Sequence, residues 1–388
     1  MTDYQFLKPY TFKNGMTVKN RVVIPPMTER SGLEDGSVSR DELYYASLRA
    51  GGVGMFITPA ANVTATGKGF EGELAVNDDR YLPRLAKLAA TMKQNGTKAI
   101  LQLIHAGRMT NSQILRGTQP VSASAIAAPR DGMETPRALS ETEIKEIVVA
   151  FAMATRRAIL AGFDGVEIHG ANTYLIQQFF SPNSNQRTDQ WGGSVTNRMR
   201  FGLEIVNAAK MVIDQYAQTP FLLGYRISPE EVENPGIRIA DTLQFVDRLA
   251  DSGIDYLHVS MGNAWRKSLN DPQETRPTIL RIKDQVHDRV PLISVGGLQS
   301  PADVEKVMAA GITFAALGRE YLREPKWVQK VEAGLEDTIR YRVNRTELED
   351  LGLNPALLDF LDVIGTDLGY AGETDATASD RVDAIFKD

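Results

Sequence analysis

Polar side chains that can bind and protonate a small molecule cluster at the end of one short apolar run. Residues 165–174 run Gly-Val-Glu-Ile-His-Gly-Ala-Asn-Thr-Tyr, which places His169, Asn172 and Tyr174 close together. Imidazole and carboxamide groups donate hydrogen bonds, and a phenol with an ordinary pKa of about 10 can supply a proton. A lone histidine is more often a satisfied core residue. All three groups at one strand end favour a site that grips a carbonyl or nitro oxygen.

Two further polar residues occupy positions where a strand should be buried. Arg226 lies within residues 223–227, Leu-Gly-Tyr-Arg-Ile, and Gln102 lies inside another apolar run with the parity that faces the barrel. A buried guanidinium or amide needs a partner. For Arg226 that partner is either a bound ligand or an ion pair with Glu167, which shares a strand face with His169.

Two glycine-bearing turns follow the last two apolar runs. Residues 295–297 are Val-Gly-Gly, and residues 317–319 are Leu-Gly-Arg. Glycine exposes backbone N–H groups, and arginine adds a two-pronged donor for phosphate oxygens. One Gly-Gly pair alone is a weak signal, but barrels often bind phosphate after their last two strands. The predicted phosphate-binding residues are Gly296, Gly297, Gly318 and Arg319.

Short β-rich runs alternate with amphipathic segments along most of the chain, and they must position these groups. The predicted strands are residues 21–25, 55–59, 99–104, 165–169, 221–227, 256–260, 292–295 and 314–317. Ser140 and Glu143 predict a capping box, and Ser300 before Pro301 predicts another helix start. Eight right-handed βα repeats close into a barrel more readily than they form an open doubly wound sheet, which is the alternative. The predicted fold class is therefore α/β, a (β/α)8 TIM barrel.

One crossover and the C-terminal region depart from this repeat. Residues 106–139 form a long segment after the third strand, rich in Ser, Thr, Pro and Gly. Loops this long are usually functional, so we predict a cap over the site, with a plain surface loop as the alternative. Residues 1–340 are predicted as the barrel and residues 341–388 as an extension with a helix from Pro355. Residues 366–380 are acidic and predicted to be disordered or docked on a neighbour.

Composition excludes several classes of protein. The chain has 388 residues, a net charge of −6 and no cysteine. Without cysteine there is no disulfide, thiolate-ligated zinc, iron–sulfur cluster or cysteine nucleophile, and the four histidines lack metal-ligand spacing, so no metal site is expected. The acidic charge argues against nucleic-acid and anionic-membrane partners. Because neither a membrane span nor a signal-peptide pattern is visible, we expect a cytoplasmic protein that acts on a small molecule, with a homo-oligomer left open.

The longest motif runs from the polar cluster into the next helix. The pattern His169-x-x-Asn172-x-Tyr174 is followed at residues 184–194 by Ser-Asn-Gln-Arg-Thr-Asp-Gln-Trp-Gly-Gly-Ser. This pattern resembles the Old Yellow Enzyme family, the FMN-dependent ene-reductases, and the resemblance covers roughly residues 5–340. The sequence departs from the family at Trp191, where a tyrosine is usual, and at Arg30, where several relatives place an aromatic substrate contact.

The resemblance implies a flavin site built from the ends of the strands. Pro25, Pro26, Met27 and Thr28 are implied to lie along the FMN, with the Thr28 hydroxyl at its O4 region. Ala60 matches the position where a small residue lets the flavin edge approach the backbone.

The remaining cofactor contacts implied by the resemblance are polar. Gln102 is expected to meet the pyrimidine edge of the flavin, and Arg226 is expected to stabilise negative charge on the reduced flavin. The two glycine turns, with Arg319, are expected to hold the FMN phosphate.

The reaction implied by the resemblance is a ping-pong reduction of an activated C=C bond by NADH or NADPH through FMN. His169 and Asn172 are expected to hold the substrate oxygen, while Tyr174 protonates the α-carbon. Two alternatives remain open from the residues alone. One is a phosphate-binding isomerase or aldolase barrel without flavin, although no catalytic lysine or carboxylate stands at a strand end. The other is a flavin-binding protein without turnover.

Overall fold

The structure, a computed structural model, describes residues 3–371 and is built around parallel strands. The strands of the barrel are β1 (Val22–Ile24), β2 (Met55–Asn62), β3 (Lys98–Ile104), β4 (Gly165–Gly170), β5 (Leu222–Ile227), β6 (Tyr256–Val259), β7 (Leu292–Val295) and β8 (Phe314–Ala316).

Hydrogen-bonded neighbours follow the order β1-β8-β7-β6-β5-β4-β3-β2, and β2 pairs with β1 again, so the sheet closes on itself. Every pairing around the barrel is parallel. A short strand, Leu74–Ala75, adds to the outer end of β2. The closed parallel barrel confirms the predicted fold class, and the strand ends agree with the predicted ones to within a few residues.

Strand β2 is the one that differs most from its predicted bounds. The predicted strand ends at Pro59, but β2 continues to Asn62, with a register shift between Ile57 and Ala60 in its pairing with β3. Proline has no backbone N–H to donate, so the ladder is interrupted there and resumes beyond the irregularity. Ala60, predicted to follow the strand, therefore lies within it and opposite Gln102.

Helices occupy the crossovers and the C-terminal region. They are α1 (Arg40–Arg49), α2 (Leu82–Met92), α3 (Glu141–Leu160), α4 (Leu175–Phe180), α5 (Val195–Tyr216), α6 (Ile239–Asp251), α7 (Thr278–Val286), α8 (Pro301–Ala309), α9 (Arg319–Arg323), α10 (Trp327–Glu332) and α11 (Pro355–Val363). Among residues 3–371, no helix combines the length and the apolar character that crossing a membrane requires.

The predicted helix starts have the expected caps. The Ser140 hydroxyl accepts from the backbone N–H of Glu143, whose carboxylate accepts from the Ser140 backbone N–H. Ser300 caps α8 in the same reciprocal way with Asp303, and Pro301 occupies the first turn. Each arrangement satisfies backbone donors that a helix start leaves free, so these sequence signals are confirmed as local structure.

Two hydrophobic clusters divide the barrel into an inside and an outside. The outer cluster lies between the strands and the helices. The inner cluster includes the strand-start residues Val23, Met55 and Leu222 together with Phe12 and Met16 of an N-terminal hairpin. The hairpin therefore closes the amino end of the barrel with apolar side chains, and the polar inward-facing residues are confined to the carboxyl end.

The long crossover after β3 is packed onto the carboxyl-end face. Arg108 donates to the carbonyls of Ile126 and Ala127 inside the crossover. The Ser122 hydroxyl donates to the Gln178 side chain on α4, which follows β4. This placement confirms the predicted insertion after the third strand and puts it beside the barrel mouth.

The C-terminal extension packs against the barrel helices. Leu351, Leu357 and Leu368 are buried in the same cluster as the outer core, and α11 starts at the predicted proline after an Asn354 cap. Residues 366–371 are docked on the barrel, where the Leu368 carbonyl accepts from Arg323. Residues 372–380 of the predicted acidic tail lie outside the described residues. The boundary at residue 340 stays a prediction.

Arg49 ties three parts of the fold together, which makes it a test of how the extension is held. Its guanidinium is fully buried and donates to the carbonyls of Tyr45, Tyr321 and Leu351. Lysine has one donor group and cannot span three carbonyls. Arg49→Lys is therefore expected to lower the free energy of unfolding by about 2–4 kcal/mol, measured by urea denaturation. Arg40→Lys, at the exposed start of α1, is the matched control, and equal losses in both variants would contradict this role.

Candidate active site at the carboxyl end of the barrel

The strand register arranges the inward-facing polar residues in two layers. Gln102 on β3 is opposite Glu167 on β4. Two residues further along the strands, Arg226 on β5 is opposite His169 on β4 and His258 on β6. Because side chains alternate along a strand, residues two apart face the same way. The lower layer therefore holds an amide and a carboxylate, and the upper layer holds a guanidinium between two imidazoles.

Glu167 is the centre of the lower layer. The Gln102 side-chain amide donates to its Oε1 at 2.7 Å, and His258 Nδ1 lies 3.0 Å from its Oε2. Glu167 and His258 are 0% exposed. Burial alone raises the pKa of Glu167, but His258, Arg226 and Gln102 outweigh it and bring the pKa below the ordinary value. Burial, with the charge of Arg226, lowers the pKa of His258, so a neutral imidazole donates to an ionised carboxylate.

Arg226 does not form an ion pair with Glu167, the alternative partner considered from the sequence. Both oxygens of Glu167 are engaged by other residues, and within residues 3–371 the Nε of Arg226 is buried without a hydrogen-bond partner. Burial lowers the pKa of Arg226 from its ordinary value, although the Glu167 charge opposes this. An almost buried cation with an orphaned donor is typical of a site completed by a ligand.

His169 and Tyr174 face each other at the mouth. Their rings meet edge to face with centroids 5.0 Å apart. The backbone N–H of Ala171 donates to His169 Nδ1 at 3.4 Å, which assigns the ring proton to Nε2. Burial and the charge of Arg226 hold the pKa of His169 well below its usual range. The imidazole is therefore neutral and presents an Nε2–H donor.

Tyr174 remains protonated over the ordinary pH range. Burial raises the pKa of Tyr174 to about 12, with Glu73 adding to the rise and Arg130, Arg226 and Arg30 opposing it. The phenol can act as a proton donor, and it is not a phenolate at neutral pH.

Asn172 is held in an uncommon backbone conformation, with φ of 55°. Its Oδ1 accepts from the hydroxyls of Ser260 at 2.9 Å and Ser228 at 3.3 Å. The oxygen end of the carboxamide is thereby engaged, and the NH2 end is left to face a ligand. Sequence reasoning identified Asn172 but missed the two serines, which stand at the ends of β5 and β6.

The segment after β1 meets the turn after β8. A Cβ on Gly318 would lie 2.9 Å from Met27 Sδ and 3.4 Å from the Pro25 ring, so this turn passes close to the segment after β1. Pro26 and Thr28 are half-buried in the same segment. The structure therefore brings together two sets of residues that are almost 300 positions apart in the sequence.

The turn after β7 contains two glycines whose backbone conformation a larger residue would strain. Gly296 has φ of 124°, and a Cβ there would lie 2.5 Å from the Met261 carbonyl. Gly297 is exposed with φ of 68°. Arg319, at the start of α9, is exposed, and in the described part of the chain it has neither a hydrogen bond nor an ion pair.

These residues fit the FMN that the sequence resemblance implies. Among residues 3–371 the buried Nε of Arg226 has no hydrogen-bond partner, and an anionic flavin edge would supply one. Gly296 leaves no room for a side chain next to the backbone, and among residues 3–371 Arg319 has no hydrogen bond or ion pair that would compete with a phosphate. Ala60, Gln102 and Thr28 stand on neighbouring strand ends at the same face.

Two residues absent from the predicted site are central to its geometry. His258 faces inward on β6 and engages Glu167, although 91 positions separate them. Glu167, considered from the sequence only as an ion-pair partner for Arg226, lies one layer below the mouth and is bonded to Gln102 and His258 instead. The period-two pattern of β6, Tyr256 and His258 on one face, was the available signal.

The two departures from the family pattern have different surroundings. Trp191 is buried, and its ring centroid lies 6.5 Å from that of Phe201, so this side chain packs its loop against α5. Arg30 has φ of 51°, and its guanidinium lies 4.9 Å from the ring centroid of Phe360 on α11 and 5.7 Å from that of Phe70.

The phosphate assignment is testable with ligands of different length. Arg319→Ala is expected to weaken FMN binding by roughly tenfold or more, because a charge-assisted contact to the phosphate is lost. Riboflavin, which lacks the phosphate, should bind wild type and variant equally. Fluorescence titration of apoprotein measures both, and Arg248→Ala on the exposed face of α6 serves as control. Undiminished FMN affinity would remove Arg319 from the phosphate site.

Comparison with known proteins gives the family. A model described as the NADH:flavin oxidoreductase / NADH oxidase family matches residues 5–338. The chain is 44% identical over 88% of its length to the probable NADH-dependent flavin oxidoreductase YqiG of Bacillus subtilis (strain 168) and covers 91% of it. It is 43% identical over 92% of its length to the NADH:fumarate oxidoreductase of Klebsiella pneumoniae (strain 342), but spans only 39% of that protein.

A solved structure agrees with the fold and the family. Morphinone reductase superposes with a TM-score of 0.73 at 26% sequence identity, covering 86% of this chain and 90% of that one. With the closed barrel and the matched residues, this makes the chain a member of the NADH:flavin oxidoreductase / NADH oxidase family, the Old Yellow Enzyme family that its motifs predicted.

Proposed function

We propose that this enzyme reduces C=C bonds conjugated to a carbonyl or nitro group, with NADH as the electron donor. The observation that carries the proposal is the pairing of His169 and Tyr174, whose rings lie 5.0 Å apart at the mouth of the barrel. One side chain presents a neutral N–H donor and the other a protonated phenol. A donor and an acid so placed can bind the carbonyl oxygen of a substrate and protonate the carbon next to that carbonyl.

His169 and Asn172 bind the activating oxygen of the acceptor. The Nε2–H of His169 and the amide NH2 of Asn172 are the free donors, since His169 Nδ1 and Asn172 Oδ1 are already engaged. Two donors at one oxygen draw electron density from the conjugated alkene and orient it. FMN, when bound, supplies the hydride exchange between nicotinamide and acceptor.

Tyr174 completes the reduction by donating its proton to the α-carbon. Its phenol is half-buried beside His169, on the mouth side where the acceptor would bind. The nicotinamide half of the cycle needs no such proton. The two half-reactions therefore depend on different residues, which allows them to be separated by mutation.

The choice of NADH rests on the names of the Klebsiella and Bacillus relatives, both of which specify NADH. Fumarate, named for the Klebsiella protein, is itself an alkene conjugated to carboxyl groups and belongs in the acceptor panel. Because this chain spans 39% of that protein, fumarate is tested as an acceptor for this chain on its own. Anaerobic bleaching of the yellow protein by NADH, followed by recolouring with each acceptor, tests the whole proposal.

Replacement of Tyr174 by phenylalanine should separate the half-reactions. Enone reduction should slow by roughly 10²-fold or more, because general-acid catalysis is lost. Flavin reduction by NADH and reoxidation by a quinone, which needs no carbon-bound proton, should change little. Stopped-flow absorbance follows each step, with Tyr44→Phe on the surface as control. If Tyr174→Phe slows both halves equally, the phenol binds or packs and another group supplies the proton.

The pH profile of enone reduction should reflect the raised pKa of Tyr174. The donor must be protonated, so activity is lost only as the pH rises through about 12. The rate of the oxidative half-reaction should therefore stay flat between about pH 6 and pH 10. A phenol with an ordinary pKa would lose half its activity near pH 10. A mid-point near pH 10 in single-turnover measurements would contradict the burial of this group.

A further inference from the structure

The floor of the site contains a buried carboxylate, Glu167, that has no role in the proposed substrate chemistry. Glu167 is bonded at both oxygens, to Gln102 at 2.7 Å and to His258 at 3.0 Å. All three side chains are almost completely buried, on three different strands. Buried carboxylates are rare unless their partners require them.

An ionised carboxylate only accepts hydrogen bonds, and this restricts both partners. Gln102 must turn its NH2 group toward Glu167, which leaves its Oε1 as an acceptor on the other side. His258 must carry its proton on Nδ1, so its Nε2 is a bare acceptor. In the structure His258 Nε2 is indeed buried with no hydrogen-bond partner among residues 3–371. A single charge thus sets which atoms face the mouth as donors and which as acceptors.

Glu167 also lies within electrostatic reach of Arg226. His258, the hydrogen-bond partner of Glu167, stands opposite Arg226 on the neighbouring strand. Glu167 lies one layer below both. Within the described part of the chain no carboxylate forms an ion pair with Arg226, so Glu167 is its internal counter-charge. The two charges are kept apart by the neutral imidazole and do not form an ion pair.

We propose that Glu167 is a positioning residue for FMN, which fixes the orientation of Gln102 and the tautomer of His258 and offsets part of the Arg226 charge. It sets how strongly the site favours reduced over oxidised flavin. This inference rests on the proposed placement of FMN in the barrel mouth, and it concerns residues that have no role in the proposed substrate chemistry.

The sign of the effect follows from the charges. Reduced flavin is more negative at its pyrimidine edge than oxidised flavin, and a nearby carboxylate disfavours it. Glu167→Gln removes that charge at almost unchanged volume and leaves Arg226 uncompensated. The ratio of the dissociation constants of oxidised and reduced FMN should therefore rise by about tenfold or more. A tenfold rise corresponds to an increase of roughly 30 mV in the two-electron potential of the bound flavin.

The measurement is the flavin midpoint potential of the holoenzyme, combined with the Kd of oxidised FMN for the apoprotein. Neither requires turnover. Arg226→Met provides a reference of opposite sign, because it removes the positive charge and should lower the potential. Glu324→Gln is the matched control: Glu324 is also a buried carboxylate, held by Lys330 and Arg340 outside the barrel. It should alter stability and leave the potential unchanged.

A second pair of variants decides the matter if Glu167→Gln does not fold. His258→Asn retains an N–H donor where Nδ1 stands and should keep the wild-type potential. His258→Leu removes the donor, so the buried carboxyl is driven to take up a proton and the potential should rise as in Glu167→Gln.

Two failures are distinguishable. If wild-type apoprotein does not bind FMN, the placement of the cofactor falls and this inference with it. If FMN binds normally but Glu167→Gln keeps the wild-type potential, or the two His258 variants behave alike, the cofactor site stands and the positioning role of Glu167 is overturned.

Discussion

Everything at the carboxyl end of this barrel depends on keeping a buried guanidinium unpaired beside a buried carboxylate. Taking Arg226 and Glu167 out of water is costly, and direct pairing would recover much of that cost. Both oxygens of Glu167 instead accept hydrogen bonds from Gln102 and His258. This leaves the Nε of Arg226 without a partner in the described chain. A cation held in this way is available for an anionic ligand and needs no rearrangement to bind it.

The rest of the barrel stabilises this arrangement by confining the polar residues to its carboxyl end. At the amino end, the interior is filled by apolar strand-start residues and sealed by the hairpin residues Phe12 and Met16. Polar residues enter only in the last two layers, where each one gains a neighbour on an adjacent strand. Because the pleat repeats every second residue, one register places all of them inside at once.

Irregular segments around the mouth are held by arginines that donate to backbone carbonyls. Irregular backbone has no ladder partner, so its buried carbonyls need donors from elsewhere. A guanidinium offers five N–H groups in a rigid plane and can serve two or three carbonyls at once. The residues that do this are Arg49, Arg108, Arg187, Arg198 and Arg323. They join the long crossover, the loop after α4 and the C-terminal extension to the barrel, so these segments are fixed in place largely by side-chain donors.

The sequence by itself determined the barrel, its long insertion, the capped helices and the motif around His169 and Tyr174. These features depend on local periodicity and on residues close in the chain, where spacing alone fixes which side chains share a face. Tertiary structure alone decided the continuation of β2 past Pro59, since the strand resumes only because β3 offers a register to pair with. It also decided that Glu167 pairs with His258 and leaves Arg226 free. That choice between partners is made by distances across strands that the sequence separates by up to 91 residues, and no local pattern contains them.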